Sequence, residues 1–437
     1  MSESKWVKSG QSALAKAKIH SNKQAKRSKK IRHQINDHNP KMSSHLNNWL
    51  GLEWQLSLSS GWGIAGLNIS HEMEVDGRFR AVPLYPSAKL EHASDKFTTL
   101  VDKLKRREEE VAKVLGSREG GLVCEFPVIH SLGNALHDED MYNPVKPHCR
   151  GSREFGIVFF EFNTPNDHTT RNANQFEILF GGSTWNTRVL REHGLTNVDT
   201  FIQGVDLSLF RPVPRERGER FVVYSGGKLE HRKGQDIMVA AFREFVKTHP
   251  DAVLATTWHN QWPESMQGIT LGSHVANVPQ VDDEGNCDIA RWIAENGVPE
   301  KNIHDYGMVS NHLMPEVIAQ ADVAVFPNRC EGGTNLVAME AMASGVPCIL
   351  SANTGHLDLI ENDNCYPIMN QAEVSGLSYA KDWGESNVDE IVELLNRVYT
   401  DKHEAKKRGE QAVKFMQDWS WEKRTKYLID RISEYEF

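Results

Sequence analysis

Short apolar runs alternate with helix-forming segments along most of the chain, and this alternation predicts strands and helices in turn. The strand candidates lie at residues 54–58, 122–129, 156–162, 198–204, 221–227, 252–258, 322–327 and 347–351. Strands that alternate with helices form parallel sheets, which need helices on both faces. We therefore predict an α/β fold with two doubly wound, Rossmann-like domains facing a cleft. Ligands of such sheets bind at the carboxyl ends of the strands.

The segment RPVPRERGER at 211–220 interrupts the alternation with two prolines and a run of charged residues, which is typical of a linker. We expect a first Rossmann-like domain at 46–210 and a second at 211–415. A basic arm precedes them at 1–45, and a helical segment follows at 416–437. The 437 residues are too many for one hydrophobic core, which also favours two domains.

The composition, with 39% hydrophobic and 25% charged residues, is ordinary for a globular protein. No apolar run approaches the length of a membrane span, and the arm has no apolar signal core, so we expect neither a membrane-spanning nor a secreted protein. The six cysteines are widely spaced without a CxxC pair, which argues against a zinc site or a disulfide framework. These features predict a cytoplasmic protein.

Positive charge is concentrated in the basic arm. Residues 1–41 contain eleven lysines and arginines against two acids, whereas the whole chain has a net charge of −9. Such an arm can bind an anionic surface, either a membrane at its inner face or a nucleic acid. The alternative is a solvated tail without a partner. The acidic remainder of the chain argues against nucleic acid as the main substrate.

A single carboxylate lies within an otherwise apolar helix-forming run. Residues 336–343 read LVAMEAMA, where Thr334 or Asn335 can cap the helix start and Gly345 can end it. A helix that is apolar on every face is buried, and burying an unpaired carboxylate costs several kcal/mol. Glu340 is therefore expected to pair with a Lys or Arg elsewhere, to be protonated or to bind a ligand.

Two neighbouring motifs favour the ligand. SGGKLEHRKG at 225–234 combines a strand end, a glycine turn and two cations, Lys228 and Lys233. Lysine ammonium groups neutralise phosphate oxygens, so this turn suits a diphosphate, with a basic surface turn as the alternative. Residues 331–335 lead into the helix of Glu340, where small residues and free N–H groups favour a bound anion. Since Glu340 could accept hydrogen bonds from a ribose diol, the motifs together describe a nucleoside diphosphate site.

These segments resemble motifs of the retaining glycosyltransferases of family 4, which have the GT-B fold. The turn at 225–234 resembles the family's glycine-Arg/Lys-Leu…Lys-Gly motif, and RCEGGTNLVAMEAMASGVP at 329–347 resembles its Glu-Gly…Glu-Ala-Met-Ala-x-Gly-x-Pro motif. Further likenesses are found in SSGWGIAGLNIS, IQGVDLSLFRP and WSWEKR. The last resembles the start of a final helix that crosses back to the first domain.

The resemblance implies an enzyme that moves a sugar from a nucleotide-diphosphate donor in the second domain to an acceptor in the first. Lys228 and Lys233 would bind the donor diphosphate, and Glu331 the donor sugar. The implied donor-binding residues are Gly61, Gly63, Gly227, Gly332, Gly333, Thr334, Asn335, Leu336 and Glu340, the last of which would hold the ribose. Eight residues separate the two glutamates, one more than is usual in the family.

The first domain is expected to place a polar group near the reacting carbon. His130, which ends LVCEFPVIH, fits the place of a histidine common in the family, and we assign it with Lys228, Lys233 and Glu331 to the catalytic set. Glu161, at the end of GIVFFE, is a second candidate. A purely structural role is the alternative for both.

No metal or cofactor is expected, because the two lysines and the helix start can neutralise a leaving diphosphate. The Asp-x-Asp spacing at 138–140 falls in a polar stretch without a preceding strand and indicates a loop. No motif identifies the acceptor, which could be a glycan, a lipid-linked glycan or another molecule. The alternatives are a nucleotide-sugar epimerase of the same fold and a nucleic-acid-associated protein, either a phage-type DNA glycosyltransferase or a binding protein that uses the arm.

Overall fold

The computed structural model describes residues 48–435, except 59, 88–89, 91–94, 116–121, 135–148, 164–169, 172, 215–217, 261–262 and 283–284. The basic arm and the Asp-x-Asp triplet at 138–140 lie outside the described residues. Among the residues that are described, every helix is too short or too polar to span a bilayer.

Two six-stranded sheets, each with parallel strands, form the centre of the structure. The first sheet has the order β2-β1-β4-β6-β7-β8, with β1 Trp49–Glu53, β2 Arg80–Pro83, β4 Val128–Leu132, β6 Glu154–Val158, β7 Ile178–Gly181 and β8 Val198–Thr200; the short strands β3 Leu122–Val123 and β5 Cys149–Arg150 pair beside it. The second has the order β11-β10-β9-β12-β13-β14, with β9 Phe221–Lys228, β10 Ala252–His259, β11 Ile303–Asp305, β12 Val323–Phe326, β13 Cys348–Ser351 and β14 Tyr366–Ile368. The predicted α/β class with two parallel sheets is confirmed.

Helices cover the faces of both sheets, as parallel strands require. Those of the first half are α1 Gly61–Asp76, α2 Thr98–Leu115 and α3 Thr184–Glu192. Those of the second half are α4 Gln235–Phe245, α5 Ile289–Glu295, α6 Met314–Ile318, α7 Leu336–Ala343, α8 Val388–Thr400, α9 Lys402–Met416 and α10 Trp421–Ile432. In sequence, the predicted linker at 211–220 lies between β8 and β9, and the domain bounds stay a prediction.

The strand predicted at 54–58 is wrong. The first strand, β1, lies just before this segment, and Trp54 and Leu56 are buried in the loop that follows it. The indole Nε1 of Trp54 donates a hydrogen bond to the carbonyl of Trp62 at 3.0 Å, so the loop is held under α1. The alternation of apolar and polar residues at 54–58 therefore arises because Trp54 and Leu56 are buried beneath a helix, and not because the segment pairs in the sheet.

The helix α10 packs on the first sheet although it follows the second in sequence. Trp421, Leu428 and Ile429 are buried in the same apolar cluster as Leu50 and Leu52 of β1. Its amphipathic pattern places these side chains on one face, which is the face that α10 turns toward the sheet. The first hydrophobic core is therefore completed by residues from both ends of the described chain.

A short hairpin at 371–386, which we call the strap, also connects the two halves. Its antiparallel strands are β15 Gln371–Glu373 and β16 Gly384–Ser386. Val374, Ala380 and Trp383 of the strap share a buried apolar cluster with Phe160 and Trp185 of the first half. The strap thus joins the second half to the first on apolar contacts.

Polar contacts at the tip of the strap reinforce this junction. Asp382 accepts hydrogen bonds from Nε1 of Trp185 at 3.2 Å and from a guanidinium nitrogen of Arg188 at 3.1 Å. Asn163 donates to the same carboxylate oxygen. Each of these three partners belongs to the first half, so one carboxylate anchors the strap tip across the junction.

His130 lies inside the first sheet. It is 0% exposed on β4, and its ring lies between the carboxylates of Glu53 on β1 and Glu154 on β6. Burial would lower the pKa of His130, but hydrogen bonds and charge from Glu154 and Glu53 raise it to about 9. The geometry is that of a charged side chain that ties three neighbouring strands together, and it favours the structural alternative over acceptor contact.

We predict that His130 makes stability pH-dependent. Its pKa in the folded protein, about 9, exceeds the ordinary 6.5, so its stabilising contribution is complete below pH 6.5 and is lost as the pH rises through 9. His130→Gln should lower the free energy of unfolding by roughly 2–4 kcal/mol at pH 6 and by much less at pH 9.5. Urea titrations over this pH range would measure the difference. The control is His193→Gln, at the partly exposed end of α3; equal pH profiles for the two variants would contradict the prediction.

Candidate functional site

The two predicted lysines lie where the central strand of the second sheet ends. Lys228 is the last residue of β9, and Lys233 ends the short 3₁₀ turn that precedes α4. Gly234 between that turn and α4 has φ +68°, and a Cβ at this position would collide with the carbonyl of Pro327. Glycine is therefore required for the turn to pack against the end of β12, which brings it to the carboxyl edge of the sheet.

Lys228 and Lys233 belong to a cluster of three cations and three carboxylates, which we call the charge cluster. Its members are Lys228, Glu230, Arg232 and Lys233 from the turn, Glu331 from the loop after β12, and Glu161 from the loop after β6. Lys233 Nζ lies 2.5 Å from Oε1 of Glu331, and Lys228 Nζ lies 3.2 Å from Oε2 of Glu230. The structure thus places Lys228, Lys233 and Glu331 in one cluster, and their roles in binding stay a prediction.

Arg232 occupies the middle of the charge cluster and was not singled out from the sequence. Its guanidinium nitrogens lie 2.7 Å from Glu230, 3.2 Å from Glu331 and 3.4 Å from Glu161. The signal that could have found it is its position directly before Lys233, where it adds a third cation to the turn. A planar guanidinium with several donors is well suited to phosphate oxygens.

Burial and charge together set the ionisation of the cluster. Burial would raise the pKa of the Glu331 carboxyl, but Lys233 and Arg232 lower it to about 2. Burial also lowers the pKa of Lys233, against the opposing effect of Glu331. At neutral pH the cluster therefore contains an ionised carboxylate held against cations in a sheltered place, where charges act strongly on a ligand.

The loop after Glu331 passes very close to the first half of the chain. A Cβ on Gly332 would collide with the carbonyls of Phe159 and Phe160, and its own carbonyl accepts a hydrogen bond from Oγ of Ser183 at 2.7 Å. The ring of Phe159 lies against Gly333 in the same way. The two glycines are therefore explained by close approach of the two sheets at this edge.

Arg329, the first residue of the 329–347 motif, holds the loop and the turn in register, although the sequence analysis gave it no role. Its side chain is 0% exposed and donates to both carboxylate oxygens of Asp236 at 2.7 and 2.8 Å and to the carbonyl of His231 at 2.7 Å. It also contacts Glu385 of the strap at 2.8 Å. Its backbone N–H donates to the carbonyl of Arg232 at 2.7 Å.

Glu340 is buried in α7, with 3% of its surface exposed. One of its carboxylate oxygens accepts a hydrogen bond from Nδ2 of Asn311 at 3.0 Å. Burial raises the pKa of Glu340 to about 8, although the bond from Asn311 opposes the shift. The expected capping differs from the structure, since Asn335 has φ +60° and its side-chain amide contacts His356 instead of the helix N–H groups.

A small pocket opens beside Glu340, with a cavity volume of about 30 Å³. It is lined by Leu336 of α7, Ile64 of α1, Asp206 of the segment after β8 and Trp421 of α10, among others. Gly61 and Gly63 form the first turn of α1, so their helix forms the wall opposite Glu340. Two further predicted donor-binding residues lie at the ends of strands of the second sheet. Gly227 precedes Lys228 on β9, and Thr334, in the loop after β12, donates a hydrogen bond from its hydroxyl to the sulfur of Met339.

A metal site was not expected, and this stays a prediction. Within the residues that the structure describes, no group of three or more His, Cys, Asp or Glu side chains is arranged to hold a metal ion.

Comparison with known proteins connects the second half to glycosyltransferases. Residues 219–397 match the family model described as Glycosyl transferases group 1. A curated relative, the GDP-mannose-dependent alpha-(1-6)-phosphatidylinositol monomannoside mannosyltransferase of Mycolicibacterium smegmatis (strain ATCC 700084 / mc(2)155), is 27% identical over 192 residues. This match covers 40% of the present chain and 44% of the relative, so it spans less than half of that protein.

Solved structures match most of the chain. Sucrose-phosphate synthase from Thermosynechococcus elongatus matches with a TM-score of 0.61 at 13% identity, covering 89% of this chain and 98% of its own. A glycosyltransferase from Rickettsia africae reaches 0.59 at 10% identity with the same coverage. HepE from Anabaena, solved with UDP and glucose, reaches 0.54 at 13% identity, covering 89% and 100%. The fold is GT-B.

In this GT-B cleft, Glu340 should reduce stability at neutral pH. Its pKa in the folded protein, about 8, exceeds the ordinary 4.5, so stability falls as the pH rises from 4.5 to 8. Glu340→Gln keeps an acceptor for Asn311 and removes the titration. It should raise the free energy of unfolding by roughly 2–3 kcal/mol at pH 7, with a smaller gain at pH 5. Chemical unfolding at the two pH values is the measurement, with exposed Glu300→Gln as control. A gain that is absent or independent of pH would count against a protonated Glu340.

Proposed function

We propose that this chain is a glycosyltransferase that transfers a sugar from a nucleoside-diphosphate donor to an acceptor, with retention and without a metal ion. The observation that carries the proposal is the placement of Arg232 and Lys233 against Glu331, 2.5 Å from Lys233, at the carboxyl edge of the second sheet. This edge is where doubly wound sheets bind their ligands. The match of residues 219–397 to group 1 glycosyltransferases supports the same reaction.

In this proposal the cations stabilise the leaving group. As the bond between the anomeric carbon and the diphosphate oxygen breaks, negative charge grows on the diphosphate, and Lys233 and Arg232 are already held beside it. Groups that are fixed before the reaction stabilise such charge without reorganisation. Glu331 stays ionised because its pKa is about 2, so it can accept hydrogen bonds from sugar hydroxyls. Lys228 is more exposed and would contact the outer phosphate oxygens.

Glu340 would hold the ribose of the donor. Two hydroxyl groups that donate to a carboxylate favour its ionised form, so binding would release the proton that Glu340 carries at neutral pH. Retention rests on the resemblance of the two second-half motifs to family 4. Guanine and uracil are the bases to test first, because the relative from M. smegmatis is described as GDP-mannose-dependent and HepE was solved with UDP and glucose.

We further propose a cytoplasmic enzyme that meets a lipid-linked acceptor at an anionic membrane surface. The support is the excess of eleven basic over two acidic residues at 1–41, together with the phosphatidylinositol-linked acceptor in the name of the relative. Basic segments are attracted to anionic lipids by about 1 kcal/mol per residue near the surface. The nucleic-acid alternative rests on the same charge alone.

The donor site is tested first by calorimetric titration of UDP, GDP, ADP, CDP and TDP in EDTA. We expect one diphosphate to bind clearly best. Glu340→Ala should weaken it by about 1–3 kcal/mol, because a hydrogen-bonding carboxylate is removed from the ribose. Binding that appears only after Mg²⁺ is added would contradict the metal-free site. Absence of binding to all five with and without Mg²⁺ would contradict the donor site itself. Conversion of the matching sugar donor without any acceptor would favour an epimerase.

Lys233→Ala should lower kcat rather than only weaken binding, because Lys233 faces the charge that grows during the reaction. We expect a loss of about 100-fold or more in kcat, measured as release of nucleoside diphosphate from the matching sugar donor. Lys247→Ala serves as the control, because this exposed lysine lies just after the C-terminal end of α4 and pairs with the surface residue Glu244. Equal kcat in the Lys233 and Lys247 variants would remove Lys233 from the mechanism.

A further inference from the structure

One carboxylate of the charge cluster comes from the first half of the chain. Glu161 lies three residues after β6, and its Oε1 is 3.4 Å from Nε of Arg232 on the turn of the second half. Its side chain is 25% exposed, so it is accessible from the cleft while still in contact with the cluster. Glu161 is therefore the point at which the first sheet touches the proposed diphosphate-binding cations.

The backbone of Glu161 is held independently of its carboxylate. Its carbonyl accepts a hydrogen bond from Nε1 of Trp383 on the strap at 2.9 Å and is approached by the thiol of Cys330 at 3.7 Å. Its N–H donates to Oδ1 of Asn134 at 2.9 Å. These bonds to the backbone do not depend on the charge of the side chain, so an amide at this position keeps them. Among the charged groups around the carboxylate, Arg232 acts on it most strongly.

Arg232 contacts three carboxylates, of which only one belongs to its own turn. Glu230 lies 2.7 Å from it within the same turn, and Glu331 lies 3.2 Å away on the adjacent loop. Glu161 adds a third carboxylate from the opposite wall of the cleft. A diphosphate is a stronger acceptor for a guanidinium than a single partly exposed carboxylate, because it offers several charged oxygens. A donor that reached Arg232 would therefore compete with Glu161 for the same nitrogens and be repelled by its charge.

We propose that Glu161 is a positioning residue that forms an ion pair with Arg232 across the cleft. This ion pair breaks when Arg232 binds the donor diphosphate and forms again when the diphosphate product leaves. The proposal rests on the proposed function, since it assumes a nucleoside diphosphate at the charge cluster. Donor binding thereby becomes coupled to the contact between the two sheets. The same competition favours release of the product diphosphate, which would otherwise be retained by three cations.

The test compares Glu161→Gln with the wild-type protein by calorimetry, using the diphosphate that the wild type binds best. Removing the competing charge should tighten binding of the diphosphate by about fivefold, the size expected for a partly exposed ion pair. Steady-state assays with the matching sugar donor should show kcat and KM falling together, because product leaves more slowly. Glu161→Asp, which keeps the charge but sets it one methylene further from Arg232, should tighten binding less than Glu161→Gln does. A merely structural role predicts the opposite sign, with weaker binding and a lower Tm.

Two controls separate the possible failures. Glu177→Gln removes another first-half carboxylate, which pairs with Arg153 at 2.9 Å outside the charge cluster, and should leave the affinity unchanged. In an Arg232→Ala background, Glu161→Gln should no longer tighten binding, since the two effects share one contact. Unchanged or weaker binding in Glu161→Gln, with a wild type that binds normally, would overturn the role of Glu161 and leave the proposed function intact. A wild type that binds no diphosphate would overturn both.

Discussion

The buried guanidinium of Arg329 is the interaction on which the arrangement of the site depends. A charge with no exposed surface is tolerated only when its donors are satisfied, and here Asp236, Glu385 and the carbonyl of His231 satisfy them. These partners come from the start of α4, from the strap and from the lysine turn. Removing Asp236 or Glu385 would leave guanidinium donors in the interior without their acceptors. The guanidinium therefore fixes the relative positions of the turn, the Glu331 loop and the strap more strictly than apolar packing could.

The two halves of the chain meet beside Arg329. Their contact is polar at the charge cluster and apolar at the strap. Glycines at 332 and 333 let the Glu331 loop approach Phe159 and Phe160, while the strap covers the flank with Trp383. The charge cluster is thereby sheltered from water without being sealed by apolar side chains. A site built in this way strengthens electrostatic effects on a ligand and keeps a route by which the ligand can exchange.

The parts of the site that could be predicted from the sequence are those that short motifs and sheet geometry determine. Lys228, Lys233 and Glu331 lie at or just after the ends of β9 and β12, which are neighbours in the second sheet, so the carboxyl-edge rule brings these three together. Glu340 lies further along the second segment, on α7. Arg329 with Glu385, 56 residues apart, and Asp382 with Trp185, 197 residues apart, could not be paired, because nothing local links such partners. The sequence analysis assigned His130 to the catalytic set from its place at the end of a predicted strand. Its partners Glu53 and Glu154 could not be predicted, because they lie beside it only through the order of the strands in the sheet.

The packing of α10 on the first sheet has a consequence for how the protein is made. The strands of that sheet end at Thr200, and the helix that completes their core begins at Trp421, about 220 residues later. At the usual rate of synthesis of about 5–20 residues per second, roughly 10–45 s pass between synthesis of the last strand of this sheet and synthesis of Trp421, Leu428 and Ile429. During that interval its apolar surface is uncovered beside the emerging second sheet. The first half therefore reaches its final packing after the second half has been synthesised, and the order of the domains along the chain is not the order in which their cores are completed.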